Sequence, residues 1–107
     1  MSDIAELQKK AAQVATELGH SREPEIILLQ LYEEMGEVTR AFLKAIGHKD
    51  QSLAIKETFQ QEMGDALYLF LSFAAATGID VEKQFNRTIE KVTARKKFGR
   101  HDVTVKK

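Results

Sequence analysis

Apolar residues recur every three or four positions through almost the whole chain, and no β-branched run alternates over the length a strand needs. That periodicity points to an all-α fold. Ile4, Leu7, Ala11, Val14 and Leu18 mark a first amphipathic helix, with Gly19 placed to close it in a left-handed C-terminal cap. A second helix is expected to begin near Pro24, which suits a first helical turn, and to run to about Ile46 before Gly47. A third follows Asp50 or Ser52 as N-cap and continues to Thr77, where Gly78 stops it. Asp80 is placed to cap a fourth, which carries Val81, Phe85, Ile89 and Val92 and ends near Phe98 and Gly99.

With 107 residues, 43% of them hydrophobic, the chain is expected to hold one domain over residues 1–99 and a basic tail over 100–107. The second and third helices form a central antiparallel hairpin in a four-helix bundle-like subunit, because the connection between them is short. Four of the six glycines sit at predicted helix ends, but Gly36 and Gly64 fall inside helices, where each costs about 1 kcal/mol relative to alanine. Both occupy the same frame, Glu34-Met35-Gly36-Glu37 and Glu62-Met63-Gly64-Asp65, so the two helices read as versions of one element, and close packing through small residues would explain the glycines.

Residues 66–76 are apolar apart from the hydroxyls of Tyr68 and Ser72, yet a membrane span needs about 20 such residues. The stretch reads as a helix buried on several sides, centrally in the domain or against another subunit, particularly around Leu67 to Phe73. The N-terminus carries acids and no apolar core of a signal peptide, so a cytoplasmic protein is expected. Zero cysteines exclude thiolate catalysis and Cys-ligated zinc. Sixteen basic groups cancel sixteen acidic ones, which argues against direct nucleic-acid binding or a membrane-bound surface.

The carboxylates are less ordinary than that balance suggests. Advancing about 100° per residue from Glu34, the apolar side chains of Ile27, Leu31, Met35, Val38, Phe42 and Ala45 fall within about 100° on one side of it and Ala41 about 20° on the other. Glu34 therefore lies inside the apolar stripe, Glu37 on its edge and Glu33 outside. Glu62 repeats the position of Glu34 on the third helix, and Asp65 that of Glu37. Folding the hairpin about the turn at 47–52 sets Glu37 opposite Glu62 and Glu34 opposite Asp65, at one level.

Four ionised carboxylates in an apolar groove repel one another and lose hydration, so they must be protonated or matched by a cation. Oxygen ligands without His or Cys favour Mg²⁺ or Mn²⁺, with Ca²⁺ conceivable and zinc disfavoured.

The run Glu33-Glu34-Met35-Gly36-Glu37 followed by Glu62-Met63-Gly64-Asp65 resembles the EExxE and ExxD signature of the MazG-like, all-α nucleoside triphosphate pyrophosphohydrolases, from about Pro24 to Phe98. The resemblance implies Mg²⁺-dependent cleavage of an NTP or dNTP between the α- and β-phosphates, giving a nucleoside monophosphate and pyrophosphate, in a homo-oligomer that is a dimer or tetramer. It implies Glu34, Glu37, Glu62 and Asp65 as metal ligands, and Glu33, with Glu34, on the catalytic side, Glu33 orienting or deprotonating the attacking water. It also implies Lys91 as a phosphate contact on the last helix. Arg95 stands where relatives such as the dCTP-cleaving enzymes look to have Asn, and a guanidinium is itself a good phosphate partner. Such chemistry would suit nucleotide-pool housecleaning.

Neither a Ser/His/Asp set nor a Gly-rich P-loop is present, so metal and basic side chains would hold the triphosphate. His20, His48 and His101 read as surface or loop residues, with His20 placed to approach a nucleotide base. The alternatives are a phosphoribosyl-ATP pyrophosphohydrolase or dUTPase-like member of the same superfamily, and, from another class, a non-catalytic helical interaction module. A di-iron carboxylate bundle would want Glu-x-x-His pairs that the chain lacks. Residues 1–90 hold nine basic groups against fifteen acidic, and residues 91–107 seven against one, a segregation suited to a metal-bound triphosphate.

Overall fold

Asp3 opens the first helix with a reciprocal cap. Its side chain accepts the Glu6 backbone N–H at 2.9 Å while the Glu6 carboxylate accepts the Asp3 N–H at 3.2 Å, so two donors that the first turn leaves open are satisfied. The computed structural model describes residues 3–47 and 53–97, in four helices: α1 (Ile4–Leu18), α2 (Pro24–Gly47), α3 (Leu53–Ala76) and α4 (Val81–Lys97). No strand occurs among the described residues. The expected caps Asp50 and Ser52, the end at Phe98 and Gly99, His48, His101 and the tail over 100–107 lie outside them.

The breaks follow local chemistry. Gly19 ends α1 at φ 74°, and its N–H reaches back to the Ala15 and Thr16 carbonyls, a left-handed cap that a Cβ would strain. Gly78 ends α3 in the same way at φ 73°, with Ile79 N–H donating to Ala74 O at 3.0 Å. Asp80 then caps α4 by accepting the Lys83 N–H at 3.0 Å.

α3 is the central element, because both α1 and α2 pack along it. Phe42 of α2 meets Phe59 of α3 with ring centroids 5.3 Å apart. α4 leaves α3 at 104° and packs chiefly on α1, so three helices rather than four lie side by side. Gln8 of α1 donates to the Ile79 carbonyl at 2.7 Å and ties α1 to the α3–α4 turn. The radius of gyration, 17.0 Å, exceeds the roughly 13 Å expected for a compact chain of this length, as the splayed α4 requires.

The core is thin. Among the described residues its buried apolar side chains are Ala11, Ala15, Ile27, Ala45, Ala66, Leu71 and Ala74, of which only Ile27 and Leu71 are large. Leu67 and Phe70 on α3, and Phe85, Ile89 and Val92 on α4, are all exposed. The apolar third helix is thus covered on the sides facing α1 and α2 and open elsewhere. No single helix among the described residues is long and apolar enough to cross a membrane. A Cβ added at Gly36 or Gly64 would meet nothing within 4 Å, so close packing inside one chain does not account for these two glycines.

Candidate active site

Helical phase carries the acidic side chains of α2 and α3 into the seam between them. Glu34, Glu62 and Asp65 each present a carboxylate oxygen, and these three atoms lie within 4.8 Å of one another. Glu34 sits deepest: its Oε2 is buried and no donor reaches it. It can hydrogen-bond to the facing Glu62 carboxyl only if one of the two holds a proton. That shared proton, followed by burial and then the negative charges of Glu62, Asp65 and Glu37, pushes the Glu34 carboxyl from its ordinary 4.5 up to about 7.

An orphaned buried oxygen among three carboxylates is the environment of a hard cation. Around one Mg²⁺, with metal–oxygen distances of about 2.1 Å, ligand oxygens are at most about 4.2 Å apart, and around Ca²⁺ about 5 Å. Three oxygens all within 4.8 Å of one another are close enough for one divalent ion to bridge. Oxygen donors alone disfavour zinc. The residues present fit the metal.

Glu34 meets Asp65, as the fold about the turn sets it, and also Glu62, one turn nearer the start of α3. Glu37 stands beside this trio, close enough for its charge to act on Glu34, and its Oε1 accepts from Arg40 Nη1 at 3.1 Å. Gln61 Nε2 donates to Asp65 Oδ1 at 3.3 Å and orients that side chain.

Apart from Glu62, these acids line one end of a cleft of about 440 Å³, within the size range of small-ligand sites. Glu33, Glu34, Glu37 and Asp65 form its acidic end, so Glu33, though off the apolar stripe, opens onto the same space. The rest is walled by Ile27, Gln30, Leu69, Tyr68, Ser72 and two residues of the α1–α2 connection, His20 and Ser21. No Lys or Arg lines the cleft among the described residues. Lys91 and Arg95 are exposed on α4; Lys91 borders a separate surface depression with Arg87 and Glu90.

Sequence reasoning treated His20 as a loop residue and did not anticipate its partner. His20 Nδ1 and the Tyr68 hydroxyl are 2.7 Å apart, with the rings edge to face at 5.9 Å. Arg22 donates from Nη1 to the Ser72 hydroxyl and from Nη2 to the Ser72 carbonyl. One signal was available: Tyr68 and Ser72 are the only polar residues in an apolar stretch, and they lie four apart, on the face that carries Asp65 and Leu69.

The family profile described as MazG nucleotide pyrophosphohydrolase domain matches residues 22–99, which includes all of α2, α3 and α4. No individual curated protein matches the chain.

Proposed function

The chain belongs to the MazG nucleotide pyrophosphohydrolase family, and from that premise we propose that it hydrolyses nucleoside triphosphates, ribo or deoxy, between the α- and β-phosphates with Mg²⁺, which Mn²⁺ can replace. The observation that carries the reading is the buried, donorless Oε2 of Glu34 facing Glu62 and Asp65. Nucleotide pyrophosphohydrolysis is the family's general activity, and the acid trio is the feature of this chain that asks for a divalent cation.

Glu34, Glu62 and Asp65, joined by Glu37 when it leaves Arg40, would hold the metal. When bound, the metal supplies polarisation of the phosphate oxygens and neutralisation of charge. Glu33 faces the same cleft and takes the proton of the attacking water as the water oxygen bonds to phosphorus. The bridging P–O bond breaks at the same centre, releasing a nucleoside monophosphate and pyrophosphate.

Among the described residues no Lys or Arg lines the cleft, which bears on assembly. Its acidic end requires cations for the leaving phosphates, and α4 carries Lys91 and Arg95, exposed and off the wall of its own cleft. We read the protein as a homo-oligomer, a dimer or tetramer, in which the exposed apolar faces of α3 and α4 are covered by another copy and the two cations reach a neighbour's cleft. The descending order of the α2–α3 contacts, Phe42 with Phe59 and Glu34 with Glu62, supports an antiparallel hairpin at the centre of each subunit. A cytoplasmic location, with no direct nucleic-acid or membrane contact, accords with a nucleotide substrate.

The test is incubation with Mg²⁺ and a panel of ribo- and deoxynucleoside triphosphates, with pyrophosphate assayed separately from orthophosphate. Equal amounts of pyrophosphate and nucleoside monophosphate are expected. Absence of pyrophosphate from every substrate overturns the reading. A phosphoribosyl-ATP or dUTP-specific enzyme would show itself in the same panel once those two substrates are added.

A further inference from the structure

The cleft is not uniform from end to end. Its acidic end gathers Glu33, Glu34, Glu37 and Asp65, while the end reached by Tyr68 and Ser72 holds no carboxylate, and the one guanidinium beside it, that of Arg22, is turned onto Ser72. From Asp65 to Ser72 is seven residues, about 10 Å along the helix axis. That separation is comparable with the reach from phosphate to base in a nucleotide. A ligand charged at one end, and flat, neutral and hydrogen-bonding at the other, matches this division.

This second end is built rather than incidental. The α1–α2 connection is fastened to α3 at two points one helical turn apart, His20 to Tyr68 and Arg22 to Ser72. Ser72 is 2% exposed, so the Arg22 guanidinium reaches in from the connection and is held by both the hydroxyl and the backbone carbonyl of one buried residue. Fixing these long side chains costs conformational entropy, and what the fastening fixes is the position of His20 and Ser21 on the cleft wall.

The His20–Tyr68 pair has a definite chemical capacity. If the tyrosine hydroxyl donates to Nδ1, Nε2 carries a hydrogen and the phenol oxygen retains a lone pair; in the other tautomer Nε2 accepts and the phenol donates. Either way the pair presents one donor and one acceptor to a ligand, beside two ring edges. That is the equipment to read the edge of a heterocycle.

We propose that this end of the cleft is the nucleoside subsite, with Tyr68 and His20 determining which base is accepted and Arg22 acting as a positioning residue that holds the connection in place. The proposal rests on the pyrophosphohydrolase reading and assigns it a substrate-selecting surface. The test uses the full chain and two readouts. In the first, kcat/KM is measured for ATP, GTP, CTP and UTP with Mg²⁺ in wild type, Tyr68→Phe, His20→Gln, Arg22→Ala and Arg22→Lys. Tyr68→Phe removes one hydroxyl with little change of shape and is expected to change the preference among the four nucleotides by about fivefold or more, through KM. Arg22→Ala is expected to shift the same ratios, and Arg22→Lys to restore part of the preference.

In the second readout, Ca²⁺ replaces Mg²⁺, and binding of the four nucleotides is compared with binding of inorganic tripolyphosphate, alongside Mn²⁺ binding followed by electron paramagnetic resonance. Mn²⁺ and tripolyphosphate affinities are expected to be the same in Tyr68→Phe as in wild type. Unchanged nucleotide ratios in Tyr68→Phe, or tripolyphosphate binding to wild type as tightly as the best nucleotide, overturns the subsite even if pyrophosphate is released. Conversely, nucleotide binding that exceeds tripolyphosphate binding and falls in Tyr68→Phe, with no pyrophosphate from any substrate, supports the subsite and refutes the activity.

Discussion

Replacing Glu34 with Gln changes how stability depends on pH, and the structure fixes both sign and size. In the metal-free fold the Glu34 carboxyl titrates at about 7, against an ordinary 4.5. Between those values the folded chain binds a proton that the unfolded chain has released, so this group's contribution to stability falls as pH rises, beginning near 4.5 and complete just above 7. A separation of about 2.5 pH units at about 1.36 kcal/mol each sets an upper bound of about 3 kcal/mol. Glu34 is half-buried, and solvent screening brings the expected loss to roughly 2 kcal/mol.

Glu34→Gln keeps a donor facing Glu62 and cannot titrate, so the variant is expected to gain that amount on wild type between pH 4.5 and 8. The assay is urea denaturation in EDTA at half-unit pH steps. Parallel stability curves for the two proteins would refute the account of the acid trio. At pH 8, saturating Mg²⁺ is expected to reverse the loss in wild type, adding about 2.7 kcal/mol at 100 times the dissociation constant, with a smaller gain in Glu34→Gln and Glu62→Gln. Because a proton on Glu34 competes with the metal, Mn²⁺ affinity should weaken as pH falls below 7, up to tenfold per unit.

Other consequences can be checked with less effort. Gly64→Ala meets open space within the chain, so helix propensity alone should raise stability by up to about 1 kcal/mol, seen as a higher thermal midpoint; a loss instead would place another copy against this face. Gly78→Ala puts a Cβ on a residue at φ 73° and should cost about 1 kcal/mol in the same melt. Leu71→Ala empties part of a core with few large side chains and should cost about 2–5 kcal/mol by denaturant titration. Sedimentation of wild type should give a mass above the 12.1 kDa of one chain at micromolar concentration, and Phe85→Ser, which removes an exposed ring from α4, should lower it.

Local features carried most of what the sequence disclosed. Helix propensity, apolar phase and caps act over one or two turns, so the left-handed end at Gly19, the stop at Gly78, the Asp80 cap and the start of α2 at Pro24 are legible in the sequence. Phase also sufficed to turn Glu34 and Glu62 inward, because one helix turn fixes which residues share a face. The register between α2 and α3 was legible only approximately. It depends on how Phe42 and Phe59 pack, and Glu34 meets Glu62 as well as the Asp65 that the fold about the turn sets opposite it. Glu37 also meets Arg40, an i,i+3 partner on its own helix that a search for acidic residues passes over.

By itself, then, the sequence determined an all-helical chain with its acids on facing stripes, because those properties are set by neighbours a few residues away. The tertiary structure alone decided the rest. Residues 48 and 50 positions apart, His20 with Tyr68 and Arg22 with Ser72, meet only after α1 and α2 have both packed on α3, and no periodicity encodes that pairing. The 104° departure of α4 is likewise a property of the turn at 77–80 and of the surface that α1 offers it. That departure keeps Lys91 off its own carboxylate cleft, which no reading of charge along the chain could have specified.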